Sequence, residues 1–203
     1  MSNSIFDVYN CPEEEVTTVW VDVDEEVDVD FNNGVGDLCS ITDDVYVSPD
    51  GDDNNLGISE AESFLTIQRA LEMIAPQDDD PVTIFLTEGT FSPSNTEEPF
   101  PIIMISNVNL IGSGEELTIL DAEQTDGVIY MEDCQNNIIS TLNITGGIIS
   151  NYGGAIWLHY SSPTLYQVKI SNSSAYYHGG GMYLSHSDPI LNDVIIENVE
   201  ILY

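Results

Sequence analysis

Positive charge is almost missing from this chain: Lys169 and Arg69 are the whole supply against 36 Asp and Glu, for a formal net charge of −34 over 203 residues. Phosphate backbones and anionic lipid surfaces are held by clustered Lys and Arg, so direct binding to nucleic acid or to an anionic membrane is all but excluded. No apolar run is long enough to span a bilayer, which argues against membrane insertion. Cysteine is scarce as well, and the three residues Cys11, Cys39 and Cys134 make an odd count that supports no disulfide framework. Cys11 and Cys39 flank the most acidic stretch and could close it in an oxidising compartment; Cys134 then reads as a small apolar filler. The start, Met1-Ser2-Asn3-Ser4-Ile5, has neither basic residues nor an apolar run and shows no signal peptide. Nucleophile-elbow spacing, Gly-x-Ser-x-Gly, is missing, and His159, His178 and His186 lack metal-ligand spacing.

What the chain does have is repetition. The triplets Val108-Asn109-Leu110, Leu142-Asn143-Ile144, Val168-Lys169-Ile170 and Val194-Ile195-Ile196 share an apolar–exposed–apolar order, and the last three start at equal intervals, at positions 142, 168 and 194. At the same offset Gly153-Gly154-Ala155-Ile156-Trp157-Leu158 matches Gly179-Gly180-Gly181-Met182-Tyr183-Leu184, with Ile129-Tyr130-Met131 in the same slot one unit earlier. A fixed period of this length marks a solenoid. Each unit holds short period-2 runs separated by Gly, Ser, Asn or Pro, so the units are strands joined by turns, stacked in parallel about 4.8 Å apart. Val168, Ile170, Val194 and Ile196 should then point inward, and Lys169 and Ile195 outward. Asn172 and Asn198 occupy equivalent turns and are candidates for an internal amide ladder.

One helix is expected. Ser63 to Ile74 places Leu65, Ala70, Leu71 and Ile74 at helical spacing before Pro76, and such a helix can cover the apolar end of a stack. Together with Val47-Ser48-Pro49-Asp50-Gly51, Thr83-Ile84-Phe85-Leu86-Thr87-Glu88-Gly89-Thr90-Phe91, Asn107 to Gly114, Thr118-Ile119-Leu120-Asp121 and the Gly-Gly units after residue 153, this segment resembles the pectate-lyase-like, right-handed parallel β-helix proteins. Within them it is similar to a bacterial group of secreted or surface proteins with a Val-Ser-x-Asp-Gly turn and a capping helix. The resemblance covers roughly residues 45 to 203. It implies an all-β, capped parallel β-helix and an extracellular or cell-surface location, and leaves the activity open, because the fold hosts lyases, hydrolases and adhesins.

The charge divides the chain. Acids number 14 in residues 1–50, 11 in 51–100, 7 in 101–150 and 4 in 151–203, so the repeats are weakly charged and residues 1–44 form a separate acidic segment ahead of a β-helix at 45–203. From Val19 to Phe31 apolar and acidic residues alternate, suggesting two short strands whose outer face carries Asp22, Asp24, Asp28 and Asp30. Two readings stand: a solvated edge hairpin charged against aggregation, or a calcium site using several carboxylate oxygens. The turn Asp50 to Gly57 begins like an EF-hand loop, but Asn55 stands where Gly is needed and Ala61 where Glu is needed, and a polar turn accounts for it.

Catalytic residues of the resembled enzymes do not carry over. A lyase of that kind uses Arg or Lys beside acidic calcium ligands, and only Arg69 and Lys169 are present; a hydrolase needs clustered carboxylates, and Asp188 and Asp193 do not recur as a pair. Tyr130, Trp157 and Tyr183 stand at the middle of equivalent triplets and should form an outward aromatic strip, fit either for stacking on sugar rings or simply for bracing a parallel sheet. The sequence thus reads as a non-catalytic extracellular scaffold or recognition protein associated with a polysaccharide, the alternative being a lyase or hydrolase with unrecognised catalytic residues. It stops at Glu200-Ile201-Leu202-Tyr203, inside a repeat, which raises the expectation of a fragment or of self-association through the C-terminal coil.

Overall fold

The computed structural model describes residues 41–202, within a compact unit that spans Ile41–Tyr203. The expected strands around Asp22, Asp24, Asp28 and Asp30, and the Cys11–Cys39 pairing, lie outside the described residues. The rest is an all-β parallel solenoid of about five coils with one short helix. Three sheets form its faces: one of nine strands, one of four (Ile102–Ile103, Ile129–Glu132, Ile156–His159, Met182–Ser185) and one of three (Ile148–Ile149, Ser174–Ala175, Glu200–Ile201).

The period survives as register. Leu142 pairs with Val168 and Lys169 with Ile195, each one full period on, and Ser174 pairs with Glu200 at the same offset. Earlier coils vary in length: Val82 still pairs with Val108 at the period, the partners of Tyr130 and Leu110, Trp157 and Ile139, lie beyond the place the period alone would give, and Asn143, the partner of Ile119, lies short of it. That variation corrects one sequence alignment. Val108–Ile111 lies beneath the first half of the long strand Ile138–Thr145, whereas the true predecessor of Leu142-Asn143-Ile144 is Thr118–Asp121, through Ile119 opposite Asn143.

Corners are made by single residues in the left-handed region, repeated coil after coil. Thr141, Gln167 and Asp193 have φ of 53°, 51° and 52°, and Asp133, Tyr160 and His186 have 53°, 48° and 54°. Asn172 and Asn198 are corners of the same kind, at 46° and 51°, following Gly146 at 68°. Asn172 and Asn198 are both exposed and Asn172 Nδ2 donates to Thr145 Oγ1 at 3.4 Å, so the candidate amide ladder is not internal. A short amide adopts the left-handed region more readily than most side chains, and at these corners it points outward. Gly153 and Gly179, at φ 75° and 67°, supply a further corner, where a Cβ on Gly153 would meet the Ile156 carbonyl and the Trp157 backbone.

Inside, the ladder is apolar: Leu142, Ile144, Val168 and Ile170 are wholly buried in vertical succession. Burying each such side chain contributes roughly 1.5–3 kcal/mol. Lys169 points outward as expected, reaching Glu197 at 3.2 Å and Glu116 at 3.4 Å. Ile196, expected inside, sits over Ile170 yet is 45% exposed, because among the described residues no strand lies beyond it.

The helix Ile67–Met73 closes the other end. Its Ile67 and Ala70 are buried together with Phe64 and Ile74, while Leu65, expected on the apolar face, precedes the helix and is half-buried. Thr66 caps it by accepting from the Arg69 N–H at 3.0 Å. Glu98, 1% exposed, accepts from the Ile67 and Gln68 N–H groups at 2.6 and 3.0 Å and so fixes the helix start to the loop after Phe91. The turn before the helix is equally tied: Asp53 accepts from the Leu65 and Thr66 N–H groups at 2.8 and 2.9 Å.

Candidate functional site

Strand alternation decides what the four-stranded sheet shows to solvent. Ile129, Met131, Ile156 and Leu158 are buried, so the intervening Tyr130 and Trp157 must face outward, and Tyr183 stands in register above Trp157. Below Tyr130 the same column ends in Ile103, which is exposed. The next outward positions form a second column, Glu132, His159 and Ser185, and the corner beside it carries Asp133, Tyr160 and His186.

The rings make three short stacks rather than one continuous ladder. Tyr130 and Trp157 lie face to face, 4.2 Å between centroids and 7° between planes. Tyr183 turns instead onto Tyr152, at 4.6 Å and 22°, and Tyr152 also lies parallel to His178 at 5.6 Å. Tyr160 stacks on His186 at 4.6 Å and 17°. Strands about 4.8 Å apart set ring spacings of this order. Stacking in this way joins the rings face to face, with Tyr160, His178 and His186 exposed and Tyr130, Tyr152, Trp157 and Tyr183 half-buried.

One ionisable pair stands within the strip. Glu132 Oε1 is 3.1 Å from His159 Nδ1, and its Oε2 accepts from the Tyr130 hydroxyl at 3.3 Å. Burial, then the Glu132 charge, push the Tyr130 phenol above its ordinary value. His159 in turn meets Tyr160 edge-on at 4.5 Å, and His186 Nδ1 is 3.1 Å from Ser185 Oγ. Tyr177, whose ring lies 6.0 Å from that of Tyr152, lines an open hollow of about 610 Å³ with Ser150, Tyr176, Ile201 and Leu202. The strip itself is an open surface crossing three coils, a shape that matches an extended chain better than a small ligand, which takes a concave pocket.

The residues weighed for catalysis lie elsewhere. Arg69 sits on the capping helix, with Nε donating to the Asp53 carbonyl at 3.2 Å, and Lys169 is held by Glu197 and Glu116, which raise its pKa. Asp188 and Asp193 are exposed at a turn and a corner of one coil. Among the described residues no three or more of His, Cys, Asp and Glu are grouped to hold a metal ion. In the turn at 50–57, Asp52 accepts from the Asn54 N–H and side-chain amide at 2.9 and 2.7 Å, so its carboxylate serves the turn.

Sequence reasoning missed Glu132, Tyr152 and Glu98. Glu132 was recoverable, being two residues beyond Tyr130 on the same strand. Tyr152 and Glu98 act from connecting segments, where no periodicity announces them.

A family model described as "Protein of unknown function (DUF1565)" matches residues 49–201. No curated protein and no solved structure matches the chain.

Proposed function

Since the chain belongs to the DUF1565 family, whose description assigns no activity, we propose from its own surface that it is a non-catalytic recognition protein, of pectate-lyase-like β-helix kind, whose four-stranded face binds an extracellular polysaccharide. The observation that carries this reading is the strip of stacked rings, Tyr130–Trp157 and Tyr152–Tyr183, bordered by Glu132, His159 and Ser185. Open aromatic faces offer apolar contact to sugar C–H groups, and the polar edges offer hydrogen bonds at a spacing set by the coils. Packing alone would also stack such rings. The hydroxyls and imidazoles gathered along their exposed edges favour a ligand.

A glycan array screened with and without calcium tests the proposal. Binding to a polysaccharide that falls about tenfold in Trp157→Ala, with an unchanged melting temperature, is the expected result, in line with the loss of one aromatic contact. Binding to no glycan, or binding indifferent to Trp157→Ala, overturns it.

A further inference from the structure

Resting on that reading of the strip, we infer that the glycan it takes carries free amino groups, as a polymer of amino sugars does, and that polyuronates and sulfated glycans are refused. Three independent features point the same way. The chain's formal net charge is −34, so any polyanion approaches against the field of the whole molecule. Its two cations stand away from the strip: Arg69 lies on the capping helix and Lys169 is engaged on the large sheet by Glu116 and Glu197. No Lys or Arg therefore stands among the rings to meet a sugar carboxylate.

The third feature is local. Glu132 lies within the strip with its side chain half exposed, one oxygen toward His159 and the other toward the Tyr130 hydroxyl. Carboxylate beside ring faces is the arrangement that attracts an ammonium group, through ion pairing and through the negative face of the aromatic. An amine on a sugar resting against Tyr130 or Trp157 would meet both. Because His159 already contacts Glu132, an incoming ammonium group competes with imidazole for the same carboxylate.

Titration calorimetry with the full chain decides the matter, using a glucosamine hexamer, the N-acetylated hexamer, a galacturonate hexamer and hexalysine. The expected order is glucosamine first, with N-acetylated at least about tenfold weaker, as the loss of an ion pair near ring faces would give, and no binding of galacturonate. Glu132→Gln should erase the preference for the free amine while leaving binding of the N-acetylated chain unchanged. Trp157→Ala should weaken both sugars. Equal or tighter binding of the neutral or the uronate hexamer, lost in Trp157→Ala, overturns the inference while the glycan reading stands. Glucosamine binding untouched by either substitution is adsorption to a polyanion and also overturns it. Tighter Trp157-dependent binding of hexalysine makes the ligand a basic peptide and sinks the inference together with the glycan reading.

Discussion

Cys134 and Ser161 occupy one position in successive coils, and the Cys134 N–H donates to Ser161 Oγ at 2.9 Å, just as the Ser161 N–H donates to Ser187 Oγ at 3.1 Å. Each side chain of the column also donates back to the carbonyl two residues earlier, at 3.3 Å from Cys134 Sγ and at 3.0 Å from both serines. This hydroxyl ladder satisfies backbone at a corner where the sheet ladder is interrupted. Cys134→Ser should therefore be accepted with a change below about 1 kcal/mol, whereas Ser161→Ala leaves a buried N–H without its acceptor and should cost about 1–3 kcal/mol. Urea unfolding of the two variants checks the contrast; equal losses would show that the ladder is incidental.

Position in the stack sets the cost of a cavity. Ile170 is wholly buried and Ile196, directly above it, is 45% exposed. Ile170→Ala should destabilise by about 2–5 kcal/mol and Ile196→Ala by clearly less. Val168→Asp should cost several kcal/mol or prevent folding by burying an unpaired charge. Chemical denaturation gives each value.

Glu98 makes the cap pH-dependent. Burial, aided by the nearby Asp53 charge, outweighs the two N–H donors of the helix and raises the carboxyl from the ordinary 4.5 to about 7. A raised folded-state pKa means that the protonated form is the one favoured by folding. The stabilisation is fully present below about pH 4.5 and is lost as pH rises through about 7. Melting temperature should thus fall between pH 5 and pH 8, by an amount equivalent to at most a few kcal/mol. Glu98→Gln should flatten that slope. A profile identical to that of the parent chain would assign the slope to other carboxylates.

Acidity in residues 22–30 predicts a response to divalent cations. Calcium placed among Asp22, Asp24, Asp28 and Asp30 would relieve their repulsion, so calcium should raise the melting temperature and a chelator should reverse the rise. Curves unchanged by either addition remove the site.

The solenoid was legible because its signal is redundant: Trp157 and Tyr183, Leu165 and Leu191, Val168 and Val194 all repeat at one spacing, so a single misread residue changes nothing. Corner geometry was not legible. Thr141, Gln167 and Tyr160 are not residues that announce a left-handed backbone, and they hold it because the strands on either side are fixed by coils above and below. The aromatic column could be read as far as register, but Tyr183 leaning onto Tyr152 depends on a loop ring that no pattern predicts. Glu98 was hidden for the same reason, being local to nothing near it in sequence.

Coils of unequal length keep their strands aligned because the extra residues fall in the segments between strands. Inheritance can therefore act on whole coils. Removing residues 156–181 would bring Met182 to the place of Ile156, Tyr183 to that of Trp157 and Ile196 to that of Ile170, with the inward apolar pattern unbroken. Deleting or duplicating one such unit would shorten or lengthen the column that carries Tyr130, Trp157 and Tyr183 by one ring without redesigning the core.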